Sequence, residues 1–209
     1  MKQVSLSQQA YRAIKQKIVS LELAPGSVIN EVGLREELDL GRTPIREALQ
    51  RLAQEKLVLI VPRRGMFVSE IGITDLQKLF EARLVFEPFA ACRAARRGTA
   101  KHWAEMAAAL AEGESADNKK LIAIDAKCHE IIYEAADNQF LSEALTTMYA
   151  LSLRLWYFSL SQIGNMQSAV LDHRLIMDAL VAKNGDEAAQ LMEKHVRAFQ
   201  EELQSVMLK

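Results

Sequence analysis

Cysteine is scarce in this chain of 209 residues, which contains only Cys92 and Cys128. Two cysteines are too few for the disulfide framework of a small secreted domain. They are also too few for a metal site built from thiolates. Both classes of protein are therefore excluded.

Long apolar runs are missing as well. The longest, residues 151–160, is interrupted by Ser152, Arg154 and Ser159, and it is shorter than the roughly 20 residues that span a bilayer. The first 18 residues, MKQVSLSQQAYRAIKQKI, contain polar side chains throughout and lack the apolar core and cleavage site of a signal peptide. We therefore expect no contact with a membrane and a cytoplasmic location.

Proline is rare and unevenly distributed. Three of the four prolines lie in residues 1–72, and Pro88 is the only one after them. The later part of the chain also lacks the alternation of apolar and polar residues that predicts a strand. We therefore predict a mixed N-terminal domain, residues 1–72, and an all-helical domain, residues 73–209.

Charge is divided unequally between these two parts. Half of the chain is apolar, which is enough for two modest cores, and the net charge is −1. Residues 1–72 contain 11 Lys or Arg and 8 Asp or Glu, whereas the rest contains 15 and 19. A mildly basic N-terminal domain next to an acidic one suggests that only the N-terminal domain contacts a polyanion.

Helix and strand patterns in the N-terminal domain follow a definite order. Apolar spacing predicts a first helix that ends before residues 23–27 (LAPGS), a short second helix at 31–38, and a third in GRTPIREALQRL, residues 41–52. Two strands follow, at 57–61 and 66–69. Helix, helix, turn, helix and hairpin make up a winged helix-turn-helix.

The third helix has two distinct faces. The stripe that packs onto its own domain consists of Ile45, Ala48, Leu49 and Leu52. The residues that face outward are Arg42, Thr43, Arg46 and Gln50. We expect Thr43 to cap this helix and Pro44 to lie in its first turn, where the missing N–H is not needed. A positive helix end that carries arginines suits phosphates and base edges in the major groove.

The hairpin turn adds Arg63, Arg64 and Gly65. A residue without a side chain lets the backbone approach a groove or a phosphate closely. The alternative is a solvated basic face on an ordinary small domain, which composition alone favours. The order of the helices and strands favours DNA binding instead.

Six helical segments are predicted after residue 72. They cover 74–97, 100–112, 117–136, 138–162, 166–183 and 186–207. They end at Gly98, Gly113, DNQ (137–139), IGN (163–165) and KNGD (183–186). Because such short connections make neighbouring helices antiparallel, we predict an antiparallel helical bundle.

Polar residues interrupt three of the apolar stripes in this bundle. Asp125 and His129 lie one turn apart on one inward line, and His173 and His195 hold similar positions in the last two helices. A single histidine of this kind is usually a core residue bonded to a neighbour. Three of the four histidines in the chain, together with an aspartate, indicate a shared divalent metal, with Zn²⁺ preferred over Ni²⁺ or Mn²⁺.

Arg83 and Glu87 lie one turn apart on the inward face of the first helix of the bundle. An i, i+4 ion pair explains this spacing as well as any function does. The functional hypothesis is that Arg83 binds a carboxylate effector bidentately beside the metal. Arg154, within LSLRLWYF, is a second candidate.

Residues 29–70, INEVGLREELDLGRTPIREALQRLAQEKLVLIVPRRGMFVSE, strongly resemble the DNA-binding domain of GntR-family bacterial transcription regulators. The motifs that carry the resemblance are RTPIREAL and the wing PRRGMFV. The helical part resembles the ligand-binding domain of the FadR-like branch, called the FCD type. The resemblance implies base and phosphate contacts by Arg42, Thr43 and Arg46, with Gly65 entering the minor groove.

The same resemblance implies a divalent metal bound by Asp125, His129, His173 and His195. The sequence also departs from the family in the turn before the third helix, where Asp39 and Gly41 replace the usual Gly and Ser, and one phosphate-contacting hydroxyl is lost. Val32 stands where some relatives have a DNA-contacting arginine. Cys128 replaces a common aromatic, and we interpret it as a packing residue.

We therefore predict a ligand-responsive transcription regulator. It would bind a palindromic operator as a homodimer, since two-fold DNA sites are matched by two-fold proteins, with an organic acid and a metal in the helical domain. A metalloenzyme and a purely structural metal site are the alternatives. Against an enzyme, Glu130 and Glu134 fall off the inward line, so no additional base lies next to the metal ligands.

Overall fold

The computed structural model describes residues 4–113, 116–159 and 166–207. The chain divides into two compact units, Met1–Gly72 and Ile73–Lys209. Helices predominate in both, and the sole sheet in the described residues is a pair of strands in the first unit. The predicted fold class, a winged helix-turn-helix followed by a helical bundle, is confirmed.

The described residues of the first unit form three helices and a hairpin. They are α1 (Leu6–Val19), α2 (Glu31–Leu38), α3 (Arg42–Gln54), β1 (Val58–Val61) and β2 (Gly65–Val68). The oxygen of Ser5 caps α1 by accepting from Gln8 N, and that of Asn30 caps α2 by accepting from Gly33 N. Polar residues at the helix starts therefore fix where these helices begin.

The start of α3 differs from the prediction. Its N-cap is Gly41, and Arg42 and Thr43 are already helical, so the prediction that Thr43 caps the helix is wrong. Pro44 is the third helical residue. It is tolerated there because the N–H groups of the first turn have no partner within the helix in any case.

The core of the first unit lies between α1 and α3. Its buried residues are Ala10, Ile14, Ile18, Leu34, Ile45, Ala48, Leu49, Leu52, Leu57 and Val68. The antiparallel strands pair from Val58 with Val68 to Val61 with Gly65, and Val28 forms a bridge to Phe67. These contacts fix the base of the hairpin against the domain and leave its tip exposed.

The described residues of the second unit form six helices, as predicted. They are α4 (Ile73–Arg97), α5 (Ala100–Ala111), α6 (Asn118–Ala135), α7 (Gln139–Ser159), α8 (Gln167–Val181) and α9 (Gly185–Met207). The predicted end of the fourth helix at 160–162 and its IGN stop at 163–165 lie outside the described residues. In the part of the chain that the structure describes, no helix combines the length and the apolar character needed to cross a membrane.

The bundle is organised around α6 and the pair formed by α4 and α9. α6 contacts α4, α5, α7 and α8, while α9 packs along α4. The close approach of α9 to α4 at the start of α9 depends on Gly185, because a Cβ there would lie 3.0 Å from Cys92 Sγ on α4. Further along α9, Phe199 stacks on Trp156 and meets Phe80 edge-on. Inward residues of α6, α8 and α9 are therefore brought close together.

Candidate functional site

The exposed face of α3 carries the residues predicted to contact DNA. Ile45, Ala48, Leu49 and Leu52 are buried, as the stripe predicted. The exposed residues are Arg42, Thr43, Arg46 and Gln50. Gly41 offers no capping side chain, so the positive end of the helix is open to an anion.

Arg46 has a partner that was not predicted. Its Nε donates to Glu31 Oε2 of α2 at 2.9 Å, and both side chains are partly exposed. The Arg46 guanidinium is therefore paired with a carboxylate of the neighbouring helix in the free protein. The sequence offered no sign of this pair, because the two residues are 15 positions apart on different helices.

The turn between β1 and β2 is exposed from Arg63 to Gly65. Arg63 has φ +64° and Gly65 has φ +108°. Residues with a side chain rarely adopt a φ near +108°. A Cβ at Gly65 would meet no atom within 4 Å, so the backbone conformation, and not crowding, favours glycine here. The two arginines and an open backbone thus share one tip.

The turn between α2 and α3 contains Asp39 and Gly41, the two residues that depart from the usual sequence at this turn. Asp39 ends α2 in the left-handed conformation, φ +50°, which glycine adopts without strain and aspartate tolerates. Gly41 occupies the N-cap, the position where a serine hydroxyl would cap the helix or meet a phosphate. Val32 is exposed on α2 without a charge to offer DNA.

Four polar side chains converge in the second unit. Asp125 and His129 come from α6, His173 from α8 and His195 from α9, and all four are buried. Nε2 of His173 lies 2.9 Å from Asp125 Oδ1, Nε2 of His195 lies 3.3 Å from the same oxygen, and the Nε2 atoms of His129 and His195 are 3.2 Å apart. The structure therefore brings together the residues that we predicted as metal ligands.

The donor set and its spacing fit a divalent metal. One ligand atom from each of the four side chains lies within 4.8 Å of the others. Metal–ligand bonds of about 2.0–2.2 Å separate the ligands of a tetrahedral site by about 3.3–3.6 Å, which is close to the observed contacts. Imidazoles with one carboxylate suit Zn²⁺, Ni²⁺ or Mn²⁺ better than Mg²⁺ or Ca²⁺.

Further side chains next to this cluster were not predicted to lie there. Tyr149 on α7 donates its hydroxyl to Asp125 Oδ2 at 2.5 Å. Glu87 on α4 lies 2.9 Å from His129 Nδ1, and Asp172 on α8 lies 3.4 Å from His195 Nδ1. Glu87 could have been suspected from its place on an inward stripe, whereas nothing in the sequence connects Tyr149 with Asp125.

Electrostatic coupling sets the protonation of the cluster. Burial alone would raise the pKa of Asp125, but the charge of His129 and hydrogen bonds from His173 and His195 hold it well below its usual range. Burial and the charge of His195 lower the pKa of His173 to about 4. Burial also disfavours charge on His195, but Asp125 and Asp172 outweigh it and raise that pKa to about 9. Asp125 is thus an anion, as a metal ligand must be.

Arg83 makes the predicted ion pair with Glu87, inside the bundle. Its Nε donates to Glu87 Oε1, and both side chains are almost completely buried. The rings of Phe80, Tyr149 and Phe199 lie 5.3–5.7 Å from its guanidinium carbon. Nη1 finds no acceptor in the described part of the chain. The ion pair therefore leaves one buried donor of Arg83 available.

The remaining polar residues considered in the sequence analysis differ in burial and lie outside the four-residue cluster. Arg154 is buried on α7. Glu130 and Glu134 are exposed, as expected from their place off the inward line. Cys128 is buried outside the cluster, and burial raises the pKa of its thiol above the usual value, which suits a packing residue. His102 accepts from Thr99 N at the start of α5 and takes no part in the cluster.

Comparison with known families assigns both units. Residues 6–68 match the family described as bacterial regulatory proteins, gntR family. Residues 78–198 match the FCD domain. The two matched regions correspond to the helix-turn-helix with its hairpin and to the helical bundle.

Individual relatives resemble the chain along nearly its whole length. The HTH-type transcriptional repressor RspR of Escherichia coli K12 is 25% identical over 205 residues, 96% of this chain and 90% of that protein. The Nta operon transcriptional regulator of Aminobacter aminovorans is 27% identical over 182 residues, 86% of this chain and 85% of that protein. Among solved structures, E. coli McbR/YncC superposes with a TM-score of 0.86 at 22% identity, over 97% of this chain and 99% of that one. This likeness shows a shared fold.

Proposed function

Because the chain belongs to the GntR family of bacterial regulatory proteins and carries an FCD domain, we propose that it regulates transcription as a homodimer in response to a small carboxylate. The family and its relatives are DNA-binding transcription regulators and not enzymes, which removes the metalloenzyme alternative. FCD domains bind small-molecule effectors. The operator, the dimer, the effector and the metal are the proposed parts, and the protein would act in the cytoplasm, where bacterial DNA lies.

The proposed DNA contacts come from α3 and the hairpin. Arg42, Thr43, Arg46 and Gln50 would enter a major groove from the exposed face of α3. Arg63 and Arg64 would contact phosphates, and Gly65 would approach the adjacent minor groove. The exposure of all seven residues and the uncapped start of α3 support this assignment.

The proposed homodimer is supported by an apolar strip on α4. Val85, Phe86 and Phe89 are 66%, 41% and 51% exposed, on the side of α4 away from its buried residues. Exposed apolar groups at i, i+1 and i+4 on one helix mark a surface that is normally covered. A second copy of the chain would bury the same strip symmetrically, as a two-fold operator requires.

The observation that carries the ligand proposal is the buried cluster beside Arg83. Asp125, His129, His173 and His195 would hold a divalent cation, which would supply positive charge and a position for an anionic oxygen. Nη1 of Arg83 would donate to the carboxylate of the same acid. Arg154 is a second candidate for this contact.

The burial of the proposed ligand site indicates how ligand binding could change DNA binding. Arg83 is 1% exposed, and none of the four clustered residues exceeds 4% exposure. An acid can therefore reach Arg83 only when the helices around it move. In a dimer, such movement would change the spacing of the two DNA-binding units and with it the affinity for the operator.

A thermal-shift screen of small carboxylates, with and without chelator, tests this proposal. We expect the chelator to lower the melting temperature and an effector to raise it only in the metal-loaded protein. At 100 times its dissociation constant, a ligand stabilises by about 2.7 kcal/mol, a shift of several degrees. The variant His173→Ala should lose both responses.

The outcomes separate the alternatives. A carboxylate that stabilises equally with chelator present would mean that the metal is structural and the effector binds elsewhere. No bound divalent ion in the purified protein, combined with no response to added Zn²⁺, Ni²⁺ or Mn²⁺, would refute the metal centre.

A further inference from the structure

Glu87 stands between Arg83 and His129 inside the bundle. Its side chain is completely buried. One carboxylate oxygen, Oε1, accepts from Arg83 Nε, and the other, Oε2, lies 2.9 Å from His129 Nδ1. Glu87 comes from α4, which contributes none of the four clustered residues. An ion pair that looked local to α4 therefore extends to a histidine on α6.

The contact with Glu87 favours one tautomer of the His129 ring. A carboxylate can only accept, so the proton of a neutral His129 ring belongs on Nδ1 when Glu87 is its partner. The lone pair on Nε2 then faces the cluster, where Nε2 of His195 lies 3.2 Å away. That is the form of histidine that binds a metal.

Tyr133 offers a competing arrangement. Its hydroxyl lies 3.2 Å from the same Nδ1 and can either donate or accept. If Tyr133 donated to Nδ1, the proton of the ring would move to Nε2, and that nitrogen could not bind a cation. The carboxylate of Glu87, 2.9 Å from the same nitrogen, favours the other arrangement, because it can accept a hydrogen bond from the ring N–H but cannot donate one.

We propose that Glu87 is a positioning residue of the metal centre, which fixes the tautomer and ring orientation of His129 while Arg83 holds the carboxylate in place. This inference rests on the proposed metal binding. The other two histidines have weaker support: Asp172 lies 3.4 Å from His195 and is partly exposed, and Nδ1 of His173 has no hydrogen-bond partner among the described residues. Glu87 Oε2 also lacks a well-aligned hydrogen bond among the described residues, but at 2.9 Å from His129 it lies nearer to the outer nitrogen of a clustered histidine than Asp172 does.

The test is Glu87→Gln in the full chain. The amide keeps the volume but loses the charge and can present an N–H to the imidazole. We expect the dissociation constant for Zn²⁺, measured by competition with a chromophoric chelator, to rise about 10- to 100-fold. The visible spectrum of the Co²⁺-loaded protein should also change, since the orientation of His129 changes. A structural role would leave that spectrum as it is.

Matched variants complete the experiment. Glu193→Gln removes the carboxylate of an exposed i, i+4 pair with Arg197 on α9, and it should leave Zn²⁺ affinity unchanged. Tyr133→Phe should weaken Zn²⁺ binding less than Glu87→Gln does. If Glu87→Gln leaves Arg83 as an unpaired buried charge and unfolds the protein, the double variant Arg83→Met with Glu87→Gln removes both charges and should show the same loss of affinity.

Two results would overturn the inference in distinguishable ways. If the unmodified protein binds Zn²⁺ and folded Glu87→Gln or the double variant binds it equally well with an unchanged Co²⁺ spectrum, Glu87 has no positioning role and the metal centre stands. If the unmodified protein binds neither Zn²⁺ nor Co²⁺, the metal centre fails and the role of Glu87 fails with it.

Discussion

Replacing Arg46 by alanine should weaken operator binding strongly and change folding little. The side chain is 46% exposed and its partner Glu31 is 29% exposed, so the ion pair between them is screened by water and contributes little to stability. On DNA, the guanidinium can leave Glu31 and bind a base edge or a phosphate. Its loss is therefore felt in the complex and not in the free protein.

The expected loss of operator affinity depends on whether Arg46 contacts a base or a phosphate. Loss of one bidentate base contact costs about 5- to 150-fold in affinity per half-site. A homodimer carries Arg46 in both half-sites, so the loss for the whole operator is the square of that factor, about 25-fold at the least. If Arg46 instead contacts a phosphate, affinity falls for all sequences alike and the salt dependence decreases by about one unit per contact.

The assay is fluorescence anisotropy on an operator that the unmodified protein selects from a randomised DNA pool, at two salt concentrations. Arg51→Ala is the matched control, because it removes the same charge from the same helix. Arg51 lies 3.8 Å from the ring centre of Tyr11 and donates to Gln8, so its side chain contacts α1, unlike that of Arg46. Equal affinities of Arg46→Ala and the unmodified protein would refute the assignment of α3 as the recognition helix.

Two further changes test the turn before α3 and the dimer. Gly41→Ser should fit, because a Cβ there would lie 3.8 Å from Pro44 Cδ, and its hydroxyl should raise operator affinity by about 2- to 12-fold if it bonds a phosphate, as measured in the same anisotropy assay. Unchanged or lower affinity would show that position 41 faces no phosphate. Phe89→Asp should produce monomers in analytical ultracentrifugation with an unchanged circular dichroism spectrum, while Phe140→Asp, at a side chain 77% exposed on α7, should not. A Phe89→Asp dimer of full strength would exclude the α4 strip as the interface.

Helices and their inward faces could be predicted from the sequence because that information is local. Apolar spacing and the residues that end helices predicted the six helices described in the second unit and the burial of Asp125, His129, His173 and His195. The start of α3 was predicted wrongly for a local reason too: proline is acceptable at any position of the first turn, so Pro44 does not fix the first residue.

Contacts between helices could not be predicted in the same way. Tyr149 meets Asp125 only because α7 has a particular rotation and height against α6, and no spacing within either helix encodes these. Glu31 meets Arg46 for the same kind of reason. The i, i+4 spacing of Arg83 and Glu87 did predict their pair, but it gave no sign of His129 on the other side of the carboxylate.

The buried charges of the second unit make sense for a domain that must respond to a ligand. An ion pair such as Arg83 with Glu87 contributes little net stability inside a bundle, and apolar residues of similar size would serve the fold at least as well. Burial also leaves Nη1 of Arg83 without an acceptor in the described chain, which costs free energy until a ligand supplies one. If the effector binds Arg83 as proposed, the free energy recovered when that donor is satisfied is available only to the ligand-bound state. It can therefore bias the bundle toward one arrangement, as an effector-controlled regulator requires.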